Sequence, residues 1–453
     1  MLRIDVEIEK IVQGGLGMGR AGKVVVFVPR SAPGDRLKVL VPVQHRNYWE
    51  GVIEDVLEPS PLRVSPECPY YGVCGGCDLQ HLNYEAQLET KKQIVNETLQ
   101  RIGGVSPVQQ SVVAAPSRWR YRNKSQYPVS GPPWRVGYFE RHTHNVKDIG
   151  FCLVQPEAFD RLRADLKARL ERSEETAYDE VSGLGNLRHI ILRQGAATGE
   201  MMLVLVGAGK PGQRRRFGVD PSLYENLAEH HPQLVSTVYN LNPHRTNRIL
   251  GRTFDVIAGS ASYTDSLLGL RLRVSAGSFF QANTAAAELL VRCVIDALGG
   301  SRRGHVLDLF CGVGTFTLPV ASRATKVTGI EASPEAVADA RASAEANNIG
   351  NVEVIAAPAE RAIGTFDGID SVILDPPRKG CSPELLRNIS ALKPETIIYV
   401  SCNPATLARD LGILRQHGYE PDRVQLVDMF PQTSHIETVT RIVPARPAQA
   451  SCP

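Results

Sequence analysis

Two patterns of apolar and polar residues divide the chain. Up to about residue 58, apolar and charged residues alternate in four short runs, Arg3 to Lys10, Lys23 to Val28, Arg36 to Gln44 and Tyr48 to Leu57, with glycines between the runs. A period of two predicts strands with one buried face, and several short strands joined by glycine turns predict a small β-barrel. From about residue 277, short apolar runs alternate with helical patterns, which predicts parallel βαβ units and a doubly wound α/β sheet.

The C-terminal segment contains seven candidate strands. The first six are 305–309, 326–330, 352–356, 369–374, 396–400 and about 423–428, and helices are predicted at 334–347 and 404–415. The seventh, roughly Ile436 to Val443, follows the sixth without room for a crossover helix, so we expect it to pair antiparallel. A seven-stranded sheet with the last strand reversed resembles that of class I methyltransferases.

Between these regions the pattern is mixed. A helical stretch from about Asn83 to Arg101 ends at a pair of glycines, and strand-like runs follow at Ile190 to Arg193 and Met201 to Val206. We therefore predict three domains: a barrel over 1–58, a mixed α+β central domain over 59–276 and an α/β domain over 277–447.

The composition limits the class of protein. The 453 residues are 22% charged and 43% hydrophobic, and no apolar run is long enough to cross a bilayer or to form a signal peptide. We therefore expect a cytoplasmic protein with no membrane partner. Cytosolic thiols stay reduced, so the nine cysteines favour metal-binding or catalytic roles over a disulfide framework.

Basic residues cluster in two places, although the net charge of +3 does not by itself indicate a nucleic-acid partner. Arg118, Arg120, Arg122 and Lys124 alternate with aromatic residues, and a second basic run lies at 214–216. A solvated charged face explains such clusters more often than a binding site does. The two clusters alone therefore do not indicate RNA binding, and other features of the sequence must support that interpretation.

A glycine turn after the first strand of the α/β domain predicts a cofactor site. The turn contains Gly312 and Gly314, but Thr317 replaces the third glycine of the dinucleotide fingerprint, which disfavours NAD. Glu331 ends the next strand and Asp375 ends the fourth, both at the edge where open α/β sheets bind ligands. These groups predict a nucleoside cofactor. S-adenosylmethionine fits, because it carries no phosphate and needs only a two-glycine turn.

The fourth and fifth strands carry the candidate reactive groups. Asp375-Pro-Pro is followed by Arg378, where amino-group methyltransferases place an aromatic residue, so an exocyclic amine is a poor candidate for the target. Cys402 directly follows the fifth strand at the same edge. A buried structural cysteine is the commoner interpretation of such a residue, but its position suits a nucleophile. Glu437, at the start of the last strand, is either an exposed strand-edge acid or a general base.

A cysteine and a base at this edge match the chemistry of uracil. Carbon 5 of uracil is a poor nucleophile, but addition of a thiolate at carbon 6 gives an enolate that takes a methyl group at carbon 5. A base must then remove the proton from carbon 5 so that the thiolate is expelled. A free cysteine has a pKa near roughly 8.5, so the thiol needs an electropositive setting. Arg378 is the candidate for that role.

Five motifs in this segment resemble the RNA uracil-C5 methyltransferase family. They are Phe279-Phe-Gln-Ala-Asn, Asp308-Leu-Phe-Cys-Gly-Val-Gly, Asp375-Pro-Pro-Arg-Lys-Gly, Ser401-Cys-Asn-Pro-Ala-Thr-Leu-Ala-Arg-Asp and His435-Ile-Glu-Thr-Val. The resemblance implies that Cys402 is the nucleophile and Glu437 the base. It also implies that S-adenosylmethionine is contacted by Gln281, Phe310, Glu331 and Asp375. Phe310 stands where many members have tyrosine, so it should keep the ring stacking and lose the hydroxyl.

Four cysteines predict a second site. Cys68, Cys74 and Cys77 are close enough in sequence to bind one metal centre, with Cys152 as the fourth ligand. Spacing alone leaves zinc and an iron-sulfur cluster open, with zinc slightly ahead. The string Cys-Gly-Gly-Cys-Asp-Leu-Gln-His-Leu resembles the segment that binds a [4Fe-4S] cluster in the ribosomal-RNA branch of the family. The cluster's implied role is structural or RNA-organising, because the uracil chemistry moves no electrons.

The first 58 residues resemble a TRAM domain, a small OB-like RNA-binding barrel that some transfer-RNA members of the family lack. Together with the cluster motif, the barrel indicates 23S ribosomal RNA as the substrate, with transfer RNA as the alternative. The resemblance also implies that Arg122 and Lys124 contact RNA, that the helix at 83–101 packs on the catalytic domain, and that the protein is a monomer.

Other functions fit the residues less well. A cytosine-C5 RNA methyltransferase usually has a cysteine immediately after the proline of the strand-four motif, whereas Cys381 comes four residues after Pro377. A small-molecule or protein methyltransferase would need neither the barrel nor the cluster. A non-enzymatic iron-sulfur RNA-binding protein would not need Cys402 and Glu437.

Overall fold

The N-terminal strands close into a barrel. The computed structural model describes residues 2–105, 109–209, 218–300 and 302–445. Its first five strands are β1 (Leu2–Val12), β2 (Leu16–Ala21), β3 (Val24–Pro29), β4 (Arg36–Gln44) and β5 (Tyr48–Glu58). Because β1 pairs with both β2 and β4, the order β1-β2-β3-β5-β4 closes on itself. Five strands is the number found in OB-type barrels.

The sequence pattern predicted four of these strands and missed β2. Gly17 and Gly19 resembled turn residues, but both lie within β2. A Cβ atom at Gly19 would lie 2.3 Å from the carbonyl oxygen of Glu7 on the paired strand, so a larger residue would not fit there. The interior is filled by Val6, Ile8, Val26, Val28, Leu37, Val39 and Val41.

Two early elements pack with the last domain. Helix α1 (Tyr84–Gly103) is capped by Asn83 and ends at Gly104, which adopts the left-handed conformation. Ile94 and Val95 of α1 belong to the same buried cluster as residues of the C-terminal domain. Strand β6 (Gln109–Val113) follows and joins the C-terminal sheet.

Seven strands form the central sheet. They are β7 (Lys124–Ser130), β8 (Arg135–Phe139), β9 (Val146–Asp148), β10 (Leu187–Gln194), β11 (Met201–Gly207), β12 (Leu234–Leu241) and β13 (Thr253–Gly259), in the order β13-β12-β11-β10-β7-β8-β9. Helix α2 (Glu157–Leu170) packs on one face, and a short helix α3 (Leu227–His230) precedes β12. Alternate residues of β11 face opposite sides: Leu203 faces α2, and Met202 and Val204 face the C-terminal domain.

The C-terminal domain begins after a hairpin of β14 (Ser262–Leu267) and β15 (Leu270–Ser275). Its strands are β16 (Arg303–Leu309), β17 (Ala324–Glu331), β18 (Val352–Ala356), β19 (Ser371–Leu374), β20 (Thr396–Ser401), β21 (Tyr419–Val427) and β22 (Glu437–Pro444). Its helices are α4 (Thr284–Leu298), α5 (Thr317–Val320), α6 (Pro334–Ala346), α7 (Ala359–Ala362), α8 (Pro383–Ala391) and α9 (Pro404–Gln416). Short 3-10 turns lie at Pro221–Leu223, Ala321–Arg323 and Ile363–Thr365.

The C-terminal sheet has the order β18-β17-β16-β19-β20-β22-β21-β6. As expected, β22 is antiparallel to both of its neighbours. The expected count of seven strands is too low, because β6 pairs in parallel with β21 and adds an eighth. Because β6 and β21 are far apart in the sequence, no local pattern of residues predicts that they pair.

The fold brings the ends of four parallel strands to one edge. Phe310, Asp375 and Cys402 directly follow β16, β19 and β20, and Glu331 ends β17. Ligands of open α/β sheets bind at this edge. In the part of the chain that is described, no helix is both long enough and apolar enough to span a membrane.

Candidate active site

The glycine turn after β16 is held against the end of β17. The N–H groups of Phe310 and Cys311 both donate hydrogen bonds to the Ile330 carbonyl oxygen. The Glu331 carboxylate accepts hydrogen bonds from the N–H groups of Gly312 (3.1 Å) and Ser333 (2.7 Å). A carboxylate has about four lone-pair sites, so Glu331 keeps acceptor capacity for the hydroxyl groups of a ligand.

Two further carboxyl groups lie beside this turn. Asp308 accepts a hydrogen bond from the Thr317 hydroxyl at Oδ2, while its Oδ1 is buried without a partner in the described structure. Burial raises the pKa of Asp308 to about 7. Burial, together with the charge of Asp308, also raises the pKa of Asp375 to about 7. An unpaired buried oxygen beside an open turn fits a site that takes a polar or cationic ligand.

The segment before α4 adds one buried and one exposed group. Gln281 is buried, and its carbonyl oxygen accepts a hydrogen bond of 2.8 Å from the Asn123 side chain in the central domain. Phe279 is 63% exposed, which is unusual for a phenylalanine. From the sequence alone, Phe279 has no role distinct from that of its motif. The sequence signal that could have identified Phe279 is its place in the same motif as Gln281.

Cys402, directly after β20, lies beside Glu437 at the start of the neighbouring strand β22. Ser401 of β20 pairs with Thr438 of antiparallel β22, so one further step of the register places Cys402 opposite Glu437. Directly opposite residues have Cβ atoms about 4.5–5.5 Å apart. Cys402 is partly exposed and Glu437 is buried. A thiol that a substrate can reach therefore lies beside a carboxyl group shielded from water.

Burial and nearby negative charge disfavour the ionised forms of both groups. Burial raises the pKa of Glu437 well above its usual range, and the charge of Asp375 raises it further. Burial also raises the pKa of the Cys402 thiol to about 11, with a further contribution from Glu437. The exposed side chain of Arg378 opposes both shifts. Added positive charge at this edge would favour the thiolate and the carboxylate.

The four predicted metal-binding cysteines line one cavity. Cys68, Cys74, Cys77 and Cys152 are all partly buried and unbonded to one another. Burial raises the pKa of Cys77 to about 12 and that of Cys152 to about 11. Among the described residues, no group of three or more His, Cys, Asp or Glu side chains is arranged to hold a metal ion. The structure thus brings the four thiols around one space without the tight geometry of a single-ion site.

The basic run near Tyr121 is exposed only in its first half: Arg118 and Arg120 are exposed, whereas Arg122 and Lys124 are partly buried. Arg120 donates hydrogen bonds to the carbonyl oxygens of Cys152 (2.9 Å) and Gln155 (3.0 Å). Arg122 lines the cysteine cavity, and its buried Nε has no partner in the described structure. Burial lowers the pKa of Lys124 to about 7. Arg122 thus faces the cavity instead of an open surface, and the second basic run, 214–216, lies outside the described residues.

Comparisons with known proteins agree with this arrangement. The profile of the family described as tRNA (Uracil-5-)-methyltransferase matches residues 268–442. "Uncharacterized RNA methyltransferase lmo1751" from Listeria monocytogenes is 38% identical over 443 residues, which is 96% of both chains. A relative of the same description from Synechocystis, sll1967, is 39% identical over 442 residues and covers 96% of this chain and 94% of its own.

One solved structure matches nearly the whole chain. It is the Pyrococcus abyssi tRNA (uracil-54, C5)-methyltransferase in complex with S-adenosyl-L-homocysteine, with a TM-score of 0.75 and 30% sequence identity. The match covers 97% of this chain and 100% of that one. The similarity therefore includes the barrel and the central domain as well as the C-terminal sheet.

Proposed function

The chain belongs to the RNA uracil-C5 methyltransferase family, and we propose that it methylates carbon 5 of a uridine through a covalent adduct with Cys402. The observation that carries the proposal is the strand register that sets Cys402 opposite Glu437. A nucleophile and a base that act on adjacent carbons of one uracil ring must lie close together, and the ends of neighbouring strands bring two side chains that close. Cys402 is partly exposed, so a uracil ring that enters from solution can reach its thiol.

The proposed reaction uses each group once. The Cys402 thiol releases its proton to water, and the thiolate adds to carbon 6, so that the π electrons of the ring form an enolate. Carbon 5 then takes the methyl group, and the electrons of the broken sulfur-methyl bond stay on the cofactor's sulfur. The ionised carboxylate of Glu437, which Arg378 favours, takes the proton from carbon 5, the ring double bond re-forms, and the Cys402 thiolate leaves.

The residues of the turn fit S-adenosylmethionine as the methyl donor. We assign the ribose hydroxyls to Glu331, ring stacking to Phe310, and polar contacts to Gln281 and Asp375. When bound, S-adenosylmethionine supplies the methyl group and a positive sulfonium. The raised pKa of Asp375 and the unpaired Oδ1 of Asp308 mark a place where positive charge is favourable. By the same electrostatics, Arg378 favours the ionised forms of Cys402 and Glu437.

The cysteine cavity is proposed to hold a [4Fe-4S] cluster. Four thiols around one space are the ligand set of such a cluster, and a cluster spaces its ligands more widely than a single zinc ion does. Arg122 adds a buried positive charge next to the negative charge of the thiolates. In this proposal the cluster has a structural role.

The substrate is proposed to be RNA, with 23S ribosomal RNA first and transfer RNA second. The TRAM-like barrel and the cysteine cavity support ribosomal RNA by resemblance, and the solved transfer-RNA enzyme supports the alternative. The exposed ring of Phe279 lies two residues before Gln281 in the proposed cofactor site, and nucleobases stack on such rings.

The test is methyl transfer from labelled S-adenosylmethionine to unmodified 23S ribosomal RNA and to transfer RNA, followed by nucleoside analysis. Label in 5-methyluridine of ribosomal RNA supports both reaction and substrate. Label in transfer RNA keeps the reaction and overturns the substrate. Label in neither RNA, or in another nucleoside, overturns the proposal.

A further inference from the structure

The loop that precedes Glu437 is held by a residue of the cysteine segment. Oδ2 of Asp78 accepts hydrogen bonds from the hydroxyl (2.9 Å) and the N–H (3.3 Å) of Ser434. The N–H groups of Asp78 and Leu79 both donate to the carbonyl oxygen of Gln432, at 3.0 Å each. Side-chain and backbone contacts therefore join the two segments at the same point.

The loop needs support from outside because its own conformation is strained. Gln432 has a φ of 69°, in the left-handed region that costs a non-glycine residue roughly 1–2 kcal/mol. Its N–H donates a hydrogen bond of 2.9 Å to the Gln87 side chain of α1. Glu437 begins β22 three residues after Ser434, so the shape of the loop determines where the Glu437 carboxyl lies.

The contact between Asp78 and Ser434 lies where the three domains meet. A Cβ atom at Gly15, in the first turn of the barrel, would lie 2.8 Å from the Asp78 Cβ and 3.3 Å from the Ser434 Cβ. The other oxygen of Asp78 accepts a hydrogen bond of 2.7 Å from Arg141 of the central domain. Hydrogen bonds to an ionised, partly buried carboxylate are stronger than those between neutral groups, so this residue suits a positioning role.

We propose that Asp78 is a positioning residue that holds the 432–435 loop so that the Glu437 carboxyl reaches the proton on carbon 5 of the bound uracil. The inference deepens the proposed function and rests on it. Asp78 directly follows Cys77. In this proposal the cysteine segment therefore contributes to catalysis by holding the 432–435 loop in place, and it transfers no electrons. The step that depends on Asp78 is the last one, after the covalent adduct has formed and been methylated.

The variants Asp78→Ala and Ser434→Ala test this role from both sides of the contact. Each should slow the steady-state formation of free 5-methyluridine RNA by ~10- to 100-fold, because a displacement of about 1 Å can cost that much. The kcat should fall, and the KM for RNA should not rise, because binding is unchanged and the enzyme accumulates as the adduct. The methylated adduct should accumulate on denaturing gels, because removal of the proton becomes the slow step. Ser434→Ala leaves the cysteine segment unchanged, so it decides the question if Asp78→Ala loses iron or fails to fold.

Glu67→Ala is the matched control. Glu67 precedes Cys68 as Asp78 follows Cys77, but its carboxylate contacts Trp119, at 3.2 Å, instead of the 432–435 loop. It should show neither slowing nor trapped RNA. Slow variants without trapped RNA, or Ser434→Ala with wild-type rates, would overturn the role of Asp78. A wild-type protein that makes no 5-methyluridine would instead overturn the proposed function.

Discussion

Lys91 Nζ donates a hydrogen bond of 2.6 Å to Oδ1 of Asp428, and both side chains are almost completely buried. The Tyr84 hydroxyl donates to the other oxygen of Asp428, at 2.9 Å. This ion pair fixes α1 of the N-terminal half to the segment after β21. Burial lowers the pKa of Lys91, and the charge of Asp428 opposes that effect.

Replacing Lys91 with methionine should destabilise the protein. The change leaves the Asp428 carboxylate buried without its cation, which costs about 3–5 kcal/mol of unfolding free energy. Urea unfolding measures the loss. Lys92→Met is the matched control, because the Lys92 side chain is 39% exposed and its carboxylate partner lies 3.8 Å away. A double variant, Lys91→Met with Asp428→Leu, should recover most of the loss. Equal stability of the two single variants would contradict this account.

Arg378→Gln should make Cys402 less reactive. Arg378 lowers the pKa of the Cys402 thiol, so its removal should shift the pH midpoint of alkylation upward. The shift should be less than about one pH unit, because the guanidinium is exposed and screened by solvent. Mass spectrometry of the Cys402 peptide after timed alkylation measures it. Arg387→Gln on α8 is the control, and a midpoint unchanged in Arg378→Gln would remove this residue from the mechanism.

His189 should make the fold sensitive to mild acid. Burial lowers the pKa of His189 from 6.5 to about 4, and the charge of Arg188 adds to the effect. The unfolded chain therefore binds a proton that the folded chain excludes, and stability is lost as the pH falls through 6.5 toward 4. Between pH 7 and pH 5 the contribution is about 2 kcal/mol. Urea midpoints of His189→Phe should fall less over this range than those of the wild type, and parallel falls would show that His189 does not contribute.

Cys77→Ser should remove the iron-sulfur cluster. The protein, purified without oxygen, should contain iron and acid-labile sulfide and absorb visible light, and the variant should lose all three. Cys293→Ser is the control, since Cys293 lies in α4 and does not line the cavity. Zinc without sulfide in the wild type would show that the cavity holds a different centre.

The parts of the fold that the sequence predicted are those with a local pattern. The predicted helix at 334–347 corresponds to α6, and that at 404–415 to α9, because apolar spacing and caps act over a few residues. The pairing of β6 with β21 joins distant segments and leaves no such pattern. Likewise, position at strand ends placed Cys402 and Glu437 at one edge, but the hydrogen bonds between Asp78 and Ser434 depend on domain packing.

In the proposed reaction, Cys402 forms a covalent bond with uracil, and Glu437 removes the carbon-5 proton so that this bond breaks. The most direct measurement is mass spectrometry of the Glu437→Gln variant after incubation with substrate RNA and S-adenosylmethionine. Glutamine cannot remove the proton from carbon 5, so we expect a methylated nucleotide bound to the Cys402 peptide, and none when Cys402→Ala is added. Normal turnover by Glu437→Gln, or RNA attached to another residue, would contradict it.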